Sequence, residues 1–353
     1  MKAVILHGGN GTRLRPLTYT DVKQLLPIAG RPISEYALLN LVEIGITEIN
    51  IIVGEVGEKE VRDYYGNGSK WGVNVTYTYQ NKPLGIAHAV GLVRDFIGNE
   101  NFVVLLGDNY FRDGLLELAK SFNENDYDCL IALTEVANPS QFGIAEVKEG
   151  KIVSLVEKPK EHISDYALVG VYMFGPEIYS CIESLKPSAR GELEITEAIQ
   201  LMIDRGMKLK HSIINGWWKD TGNPGDLLEA NMKLLDKYSE ENNEGELVNS
   251  TILGRVHIGK YSRIQNSRII GPAYIGDDVQ ISNCLIGAYS TIGNCSIISD
   301  SYISYSLLLE DCNVNGINLS DSIIGKNTIL ETRRNEKSSS SFVVGENTKI
   351  VLS

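Results

Sequence analysis

Short apolar runs recur through the first two-thirds of the chain. Residues 2–6, 49–53, 74–79, 102–106, 129–134 and 168–174 read as apolar strand candidates. Residues 34–44 and 86–97, between them, carry helical spacing of apolar positions. Strands alternating with helices predict a mostly parallel sheet with helices on both faces. Such sheets bind ligands at the carboxyl ends of their strands. Two strand candidates end in suggestive polar groups there. "AVIL" runs into "HGGNGTRLRPLT" at residues 7–18, and "FVVLLGDN" runs into Gly107, Asp108 and Asn109.

The pattern changes after residues 236–246, "DKYSEENNEGE", which read as a linker or the end of a helix. Apolar residues then recur about every six positions, at Ile252, Ile258, Ile264, Ile270, Ile275, Ile281, Ile286, Ile292, Ile298 and Ile303. Gly follows several of them directly. Three short strands of this length make one coil of a parallel β-helix, with the apolar residues stacked inward. The Ile-Gly form of the repeat points to the left-handed version. The pattern loosens after about residue 305 and recurs in "SIIGKNTIL" and "FVVGENTKI". Between these, "ETRRNEKSSSS" reads as a mobile loop. Three segments are therefore expected: 1–235, a linker at 236–246, and a β-helix over 247–353.

Composition narrows the field. A chain of 353 residues is long enough for two domains. Its net charge of −12 argues against a general nucleic-acid or membrane-surface binder, although a few placed cations can still hold a nucleotide. No apolar run is long enough to span a bilayer, and the N-terminus lacks a cleavable leader pattern, so a cytoplasmic protein is expected. The five cysteines form no C-x-x-C pair and read as reduced thiols. Cys295 and Cys312 lie about one coil apart, a spacing at which they could stack.

The glycine-rich loop suits an anion, because bare backbone N–H groups can face phosphate while arginine adds charge. The P-loop pattern is absent, and the dinucleotide fingerprint begun at Gly9 and Gly11 fails at Leu14. Lys23 reads either as a surface residue or as a second phosphate contact. Asp108 suits a turn or a Mg²⁺ site beside phosphates, with Asp220 as a second carboxylate. Strand alternation would send Glu157 and Lys158 to opposite faces, unless the strand ends there and both enter one site. Arg190 reads as a phosphate clamp or a solvated side chain. No nucleophile elbow or zinc-protease motif occurs. Anion binders with metal carboxylates suit phosphoryl or nucleotidyl transfer, in which positioning and charge supply most of the catalysis.

Taken in order, "GGNGTRLRPLT", "KQLLPIAGRPI", "LGDN", "FGIAEV", "VEKP", "RGELEIT" and "WWKDTG" make the whole chain resemble the sugar-1-phosphate nucleotidyltransferases. The hexapeptide tail makes it similar to a long form that joins dTTP to glucose 1-phosphate. The resemblance implies a Rossmann-like catalytic domain and Mg²⁺ as cofactor, while the flat, repetitive surface and exposed edges of the β-helix predict a homo-oligomer. The resemblance also implies roles. Gly8, Gly11, Thr12 and Arg13 contact nucleotide and phosphates, as do Lys23, Gln24 and Asn109. Gln80 and Gly85 read the thymine edge. Asp108 and Asp220 bind the metal. Gly143, Glu157, Leu168 and Tyr172 line the sugar pocket, while Lys158 and Arg190 hold the sugar phosphate. Arg13, Lys23, Lys158 and Asp108 are implied as the catalytic set.

His7 departs from the family's small residue there, and bears on packing or nucleotide fit. His88 replaces a Gln common in shorter members and reads as a mark of subtype. Three other readings compete. The first is the same chemistry with UTP or an N-acetylhexosamine 1-phosphate. The second is an acyltransferase tail, for which only His257 lies after residue 247 as a general base. The third is a non-catalytic scaffold, which the retained cations and carboxylates disfavour.

Overall fold

A computed structural model describes residues 1–9, 11–19, 22–111, 114–125, 127–214, 218–238, 242–332 and 339–352. The chain divides into two compact units, Met1–Gly9 with Ser34–Asp220, and Asn10–Ile33 with Thr221–Ser353. This partition gives residues 10–33 to the C-terminal unit, whereas the sequence suggested one segment over 1–235.

The first unit is built on β1 (Lys2–Leu6), β2 (Glu48–Val53), β3 (Asn74–Tyr79), β4 (Phe102–Leu106), β5 (Asn109–Phe111) and β6 (Cys129–Glu135). It continues through β7 (Gly143–Lys148), β8 (Lys151–Glu157), β9 (Tyr166–Phe174), β10 (Leu209–Ile213) and β11 (Trp218–Asp220). The large sheet runs β8-β7-β9-β4-β1-β2-β3, with β6 pairing β9 and β10. Strands β4, β1, β2 and β3 are parallel, and β9 joins β4 antiparallel. A Rossmann-like parallel core thus carries an antiparallel extension. A separate ribbon pairs β5 with β11.

All six strands expected from apolar runs are present. The hairpin β7–β8 was not expected, because its strands mix exposed and buried positions. Its turn residues Glu149 and Gly150 have φ of 50° and 73°, the left-handed geometry that suits tight hairpins. Between strands lie α1 (Ile33–Glu43), α2 (Glu58–Tyr65), α3 (Ile86–Leu92), α4 (Arg94–Ile97), α5 (Leu116–Glu124), α6 (Ile178–Ile182) and α7 (Ile195–Asp204). The helix expected over 86–97 breaks at Val93, whose φ of −100° and ψ of 11° leave the helical region. The core is a continuous apolar layer that includes Val4, Phe102, Val104, Ile131, Phe174 and Ile199.

The second unit holds α8 (Pro224–Tyr238) and a left-handed β-helix of short parallel strands in three stacked sheets. The inward residues are Ile252, Ile258, Ile264, Ile269, Ile275, Ile281, Ile286, Ile292, Ile298 and Ile303, in register from coil to coil. The sequence expectation of Ile270 inside is therefore corrected to Ile269. The third strand of each coil takes five residues instead of six, so a strict six-residue count slips by one. Of the expected linker, Asp236–Tyr238 end α8, and Asn242–Asn243 already pairs with His257–Ile258. Residues 333–338 of the expected mobile loop lie outside the described residues.

Small polar side chains close the corners of the coils. The Ser262 hydroxyl donates to the Gly276 carbonyl (2.7 Å) and accepts the Val279 N–H (2.9 Å). Ser267 and Cys284, and Ser296 and Cys312, repeat the arrangement. Cys312 therefore stacks with Ser296. Cys295 is exposed at a left-handed corner (φ 59°), so the two cysteines do not stack. All five cysteines are free thiols. Among the described residues, no helix is long and apolar enough to cross a membrane.

Because both Ser262 partners are buried in the coil stack, Ser262→Ala strands a donor and an acceptor. A loss of about 1–3 kcal/mol is expected in urea-denaturation stability, against less than about 0.5 kcal/mol for an exposed corner change such as Tyr261→Ser.

Candidate active site

In the first unit, the carboxyl ends of β1 and β3 carry the first group. Gln80 directly follows β3 and is buried, with its N–H bonded to the Val53 carbonyl. Its side-chain Nε2 donates to His88 Nδ1 (2.9 Å) and to the Gly85 carbonyl (3.4 Å). Its Oε1 lies 3.7 Å from where a Cβ on Gly8 would stand. Gly8, Gln80 and Gly85 are thus brought together, with the amide oxygen directed toward the glycine loop. Gly85 has φ of 103°, and a Cβ there would stand 2.3 Å from the Leu193 carbonyl oxygen, so only glycine fits. His88 fixes the Gln80 amide; the sequence marked the position but not that role.

Asp108 ends β4 by way of Gly107, whose N–H bonds the Leu6 carbonyl. Asn109 is buried, and its Nδ2 donates to Asp108 Oδ1 (2.8 Å). Asn109 Oδ1 accepts from the Gly170 N–H (3.2 Å) and from Trp218 Nε1 (2.7 Å). The ribbon places Asp220 directly across from Asn109. Asp108 and Asp220 therefore sit on neighbouring rungs, both half-buried. Two carboxylates supply hard oxygen donors and leave room for water and phosphate oxygens, which suits Mg²⁺. No group of three or more metal-ligating side chains occurs among the described residues.

The third group gathers around Glu157, the last residue of β8. Gly143 pairs with it across the hairpin. A Cβ on Gly143 would stand 2.5 Å from Thr196 Cγ2, 3.1 Å from Glu157 Oε2 and 3.9 Å from Leu168 Cδ1. Thr196 Oγ1 donates to Glu157 Oε2 (3.3 Å), and Arg190 Nη1 to Oε1 (3.2 Å). Lys158 has φ of 44°, which turns its amine back to 3.8 Å from Glu157 Oε1. The strand ends where it must for both residues to face one place. Arg190 also meets Glu192 and Glu194. Burial, and then the charge of Glu194, push the Glu157 carboxyl above the usual range; Lys158, Arg190 and Thr196 oppose the rise. Leu168 and Tyr172 are buried on β9, on either side of an irregularity that admits Gly170. Burial raises the Tyr172 hydroxyl, and the charges of Glu157 and Asp108 both add to it. Carboxylates of both the second and the third group thus act on the Tyr172 hydroxyl.

The remaining residues belong to the second unit. Gly11 has φ of 56°, and its carbonyl accepts from Thr18 Oγ1 (2.7 Å), which closes the turn ahead of Thr12–Leu14. Thr12 and Arg13 are exposed. A Cβ on Gly222 would stand 2.7 Å from Arg13 Nη2, so the guanidinium lies flat on that glycine. Lys23 and Gln24 are buried in a short turn, Lys23–Leu25. The reading of Lys23 as a surface residue is thereby corrected: leaving water requires a partner for its amine.

His7 is the residue whose consequence the sequence left open. It is buried at the end of β1, edge-on to Tyr65 with ring centroids 5.7 Å apart. Neither ring nitrogen has a hydrogen-bond partner among the described residues. Burial depresses its pKa to about 3, against a smaller opposing effect of Asp108. The ring is neutral and acts as packing.

A family profile, "Nucleotidyl transferase", matches residues 2–237. A glucose-1-phosphate thymidylyltransferase of Streptomyces antibioticus is 41% identical over 100% of this chain and 99% of its own length. The low-salt glycan biosynthesis nucleotidyltransferase Agl11 of Haloferax volcanii is 46% identical over 74% of this chain and 73% of its own. A solved Bacillus anthracis structure, described as a candidate glucose-1-phosphate thymidylyltransferase in complex with sucrose, is 41% identical with a TM-score of 0.62. It covers 65% of this chain and 94% of its own.

The buried neutral His7 sets a pH dependence. The depressed folded value means that its contribution is present above the unfolded value near 6.5 and lost as pH falls toward 3. Between about pH 7 and about pH 5 the loss is about 2 kcal/mol. Urea unfolding at the two pH values should show this difference shrinking in His7→Asn.

Proposed function

The chain belongs to the nucleotidyl transferase family, and on that premise we propose that it transfers a thymidylyl group from dTTP to glucose 1-phosphate, giving dTDP-glucose and pyrophosphate. The observation that carries this reading is the strand pairing that sets Asp220 across from Asn109, whose amide bonds Asp108, in the same unit as the Glu157–Arg190–Lys158 cluster. A metal-and-phosphate centre next to a polyol-binding carboxylate is what this reaction requires.

In this reading an oxygen of the sugar phosphate attacks the α-phosphorus in line. The bond from that phosphorus to its bridging oxygen breaks, and pyrophosphate leaves with the electron pair. Asp108 and Asp220 would hold Mg²⁺, which supplies charge neutralisation at the phosphates when bound. Gly8, Gly11, Thr12, Arg13, Lys23, Gln24 and Asn109 bind the nucleotide and its phosphates. Arg13 and Lys23 offset the charge that pyrophosphate carries away. Gln80 is held by His88 so that its Oε1 faces the base edge, where thymine offers an N–H. Gly85 lets the backbone approach. Gly143, Leu168 and Tyr172 shape the sugar pocket, and Glu157 accepts sugar hydroxyls. Lys158 and Arg190 grip the sugar phosphate, with Lys158 stabilising the charge that develops at phosphorus.

The catalytic region is assigned to 1–235 and the coils to 247–353. Exposed apolar residues on the coil faces, including Leu253, Leu285 and Ile297, support a homo-oligomer. The setting is taken as cytoplasmic.

Pyrophosphate release with Mg²⁺ tests the activity. dTTP with glucose 1-phosphate is expected to be the best pair. UTP should be weaker by only about 5- to 150-fold, because one methyl contributes about 1–3 kcal/mol. Fastest release with another nucleotide or sugar phosphate would overturn the assignment. Asp108→Ala should lower kcat by about a hundredfold or more with the fold intact. Near-normal turnover would remove Asp108 from the site. Glu157→Gln should raise the KM for glucose 1-phosphate about tenfold and leave that for dTTP unchanged, as steady-state kinetics would read.

A further inference from the structure

We propose that the β-helix positions the nucleotide-binding segment, with Asn231 and Thr291 as the positioning residues. The inference rests on the reading above that Arg13 and Lys23 bind the nucleotide. It concerns the second unit alone, where residues 10–33 and the coils are compact together.

The segment is seated on the coils at both ends. Lys23–Leu25 is followed by a two-stranded hairpin, Pro27–Ile28 with Arg31–Pro32, whose turn is Ala29 and Gly30. Asn231 of α8 is fully buried behind that turn. Its Oδ1 accepts from the Ala29 N–H (2.9 Å) and from Thr291 Oγ1 (2.7 Å). Its Nδ2 donates to the Tyr289 carbonyl (3.3 Å). A single amide thus joins the turn to the coil strand Ser290–Ile292. Beside it, a Cβ on Gly30 would stand 2.3 Å from the Tyr274 ring, so the turn's backbone lies directly on that ring. Tyr274 is itself stacked on His257, with centroids 4.7 Å apart and planes 4° apart. At the other end, a Cβ on Gly345 of the final coil would stand 3.1 Å from the Pro16 carbonyl oxygen.

These contacts do more than cover surface. A buried amide with three partners has one orientation, and losing one partner leaves a polar atom without water or protein. The turn it holds begins at Ala29, six residues after Lys23 and four after the end of its short helical turn. An error in the turn therefore moves the lysine, whereas the sugar-binding residues of the first unit are attached elsewhere in the chain.

The test is steady-state kinetics of Thr291→Val and Thr291→Ser, with whichever nucleoside triphosphate the wild type turns over. Valine keeps the shape and removes the donor, and serine restores it. Thr291→Val should raise the nucleotide KM about three- to tenfold, the range for one lost hydrogen bond, with the KM for the sugar phosphate unchanged. Thr291→Ser should return it to the wild-type value. Tyr274→Leu, which removes the ring beneath Gly30, should give the same split and serves if Thr291→Val does not melt cooperatively. An unchanged nucleotide KM, or equal shifts in both KM values, would overturn the proposal. Lys23→Ala separates the two levels. If it raises the nucleotide KM while the coil variants do not, only the positioning role fails. If it leaves that KM unchanged, the assignment of Lys23 fails and the positioning role fails with it.

Discussion

The side-chain amide of Asn109, at 2% exposure, has to be satisfied by protein groups alone. Its oxygen takes two N–H donors, from Gly170 and Trp218, and its nitrogen donates to Asp108. Much of the first unit's local geometry is tied to those three bonds. Gly170 must lack a side chain, because a Cβ would stand 2.6 Å from the amide. Strand β9 must depart from regular pairing between Leu168 and Tyr172 to deliver that N–H. Trp218 must reach the amide from the far strand of the ribbon, and doing so sets Asp220 across from Asn109. A neutral residue thereby places both carboxylates.

This explains what could be read from sequence and what could not. The apolar runs of β1, β2, β4, β6 and β9 were legible because burial on both faces of the sheet leaves a continuous signature, and β3 because of its β-branched and aromatic residues. Asp108 and Asn109 were legible as polar residues at the end of such a run. The partners of Asn109 were not, since they lie 61 and 109 residues away and no local pattern marks them. Glu157 and Lys158 form a pair by alternation only if the chain leaves the strand, and a positive φ at a lysine is not written in its neighbours. The burial of Lys23 was hidden for a similar reason. Its surroundings are assembled from short turns, not from an amphipathic helix whose face could be counted.

The β-helix shows the opposite case, a fold legible almost residue by residue and wrong in one place. Inward positions advance by six, six and five residues, so each coil from Ile252 to Ile303 closes in seventeen. A count by sixes reaches Ile270, an equally good β-branched residue, one step beyond the true inward position. Coil-to-coil register decides the matter: Ile252, Ile269 and Ile286 must stack, and a one-residue slip would send the whole strand's side chains to the other face. Local composition allows either isoleucine, and only the closed stack selects between them.

Residues 11–33 contain helical turns of three residues and paired strands of two, none able to hold its shape alone. A segment this irregular needs a platform stiffer than itself if Arg13 and Lys23 are to act at fixed places. The coils provide one, because the strands are hydrogen-bonded to their neighbours along the stack and several corners are closed by buried serine hydroxyls. Stability in such a stack is a sum over neighbouring coils, so a contact anywhere along it has the whole ladder behind it. The Gly30 backbone on Tyr274, Pro16 beside Gly345, and Asn231 between the turn and Thr291 are spread over several coils. Their separation resists rotation as well as translation of the segment, which one contact could not do.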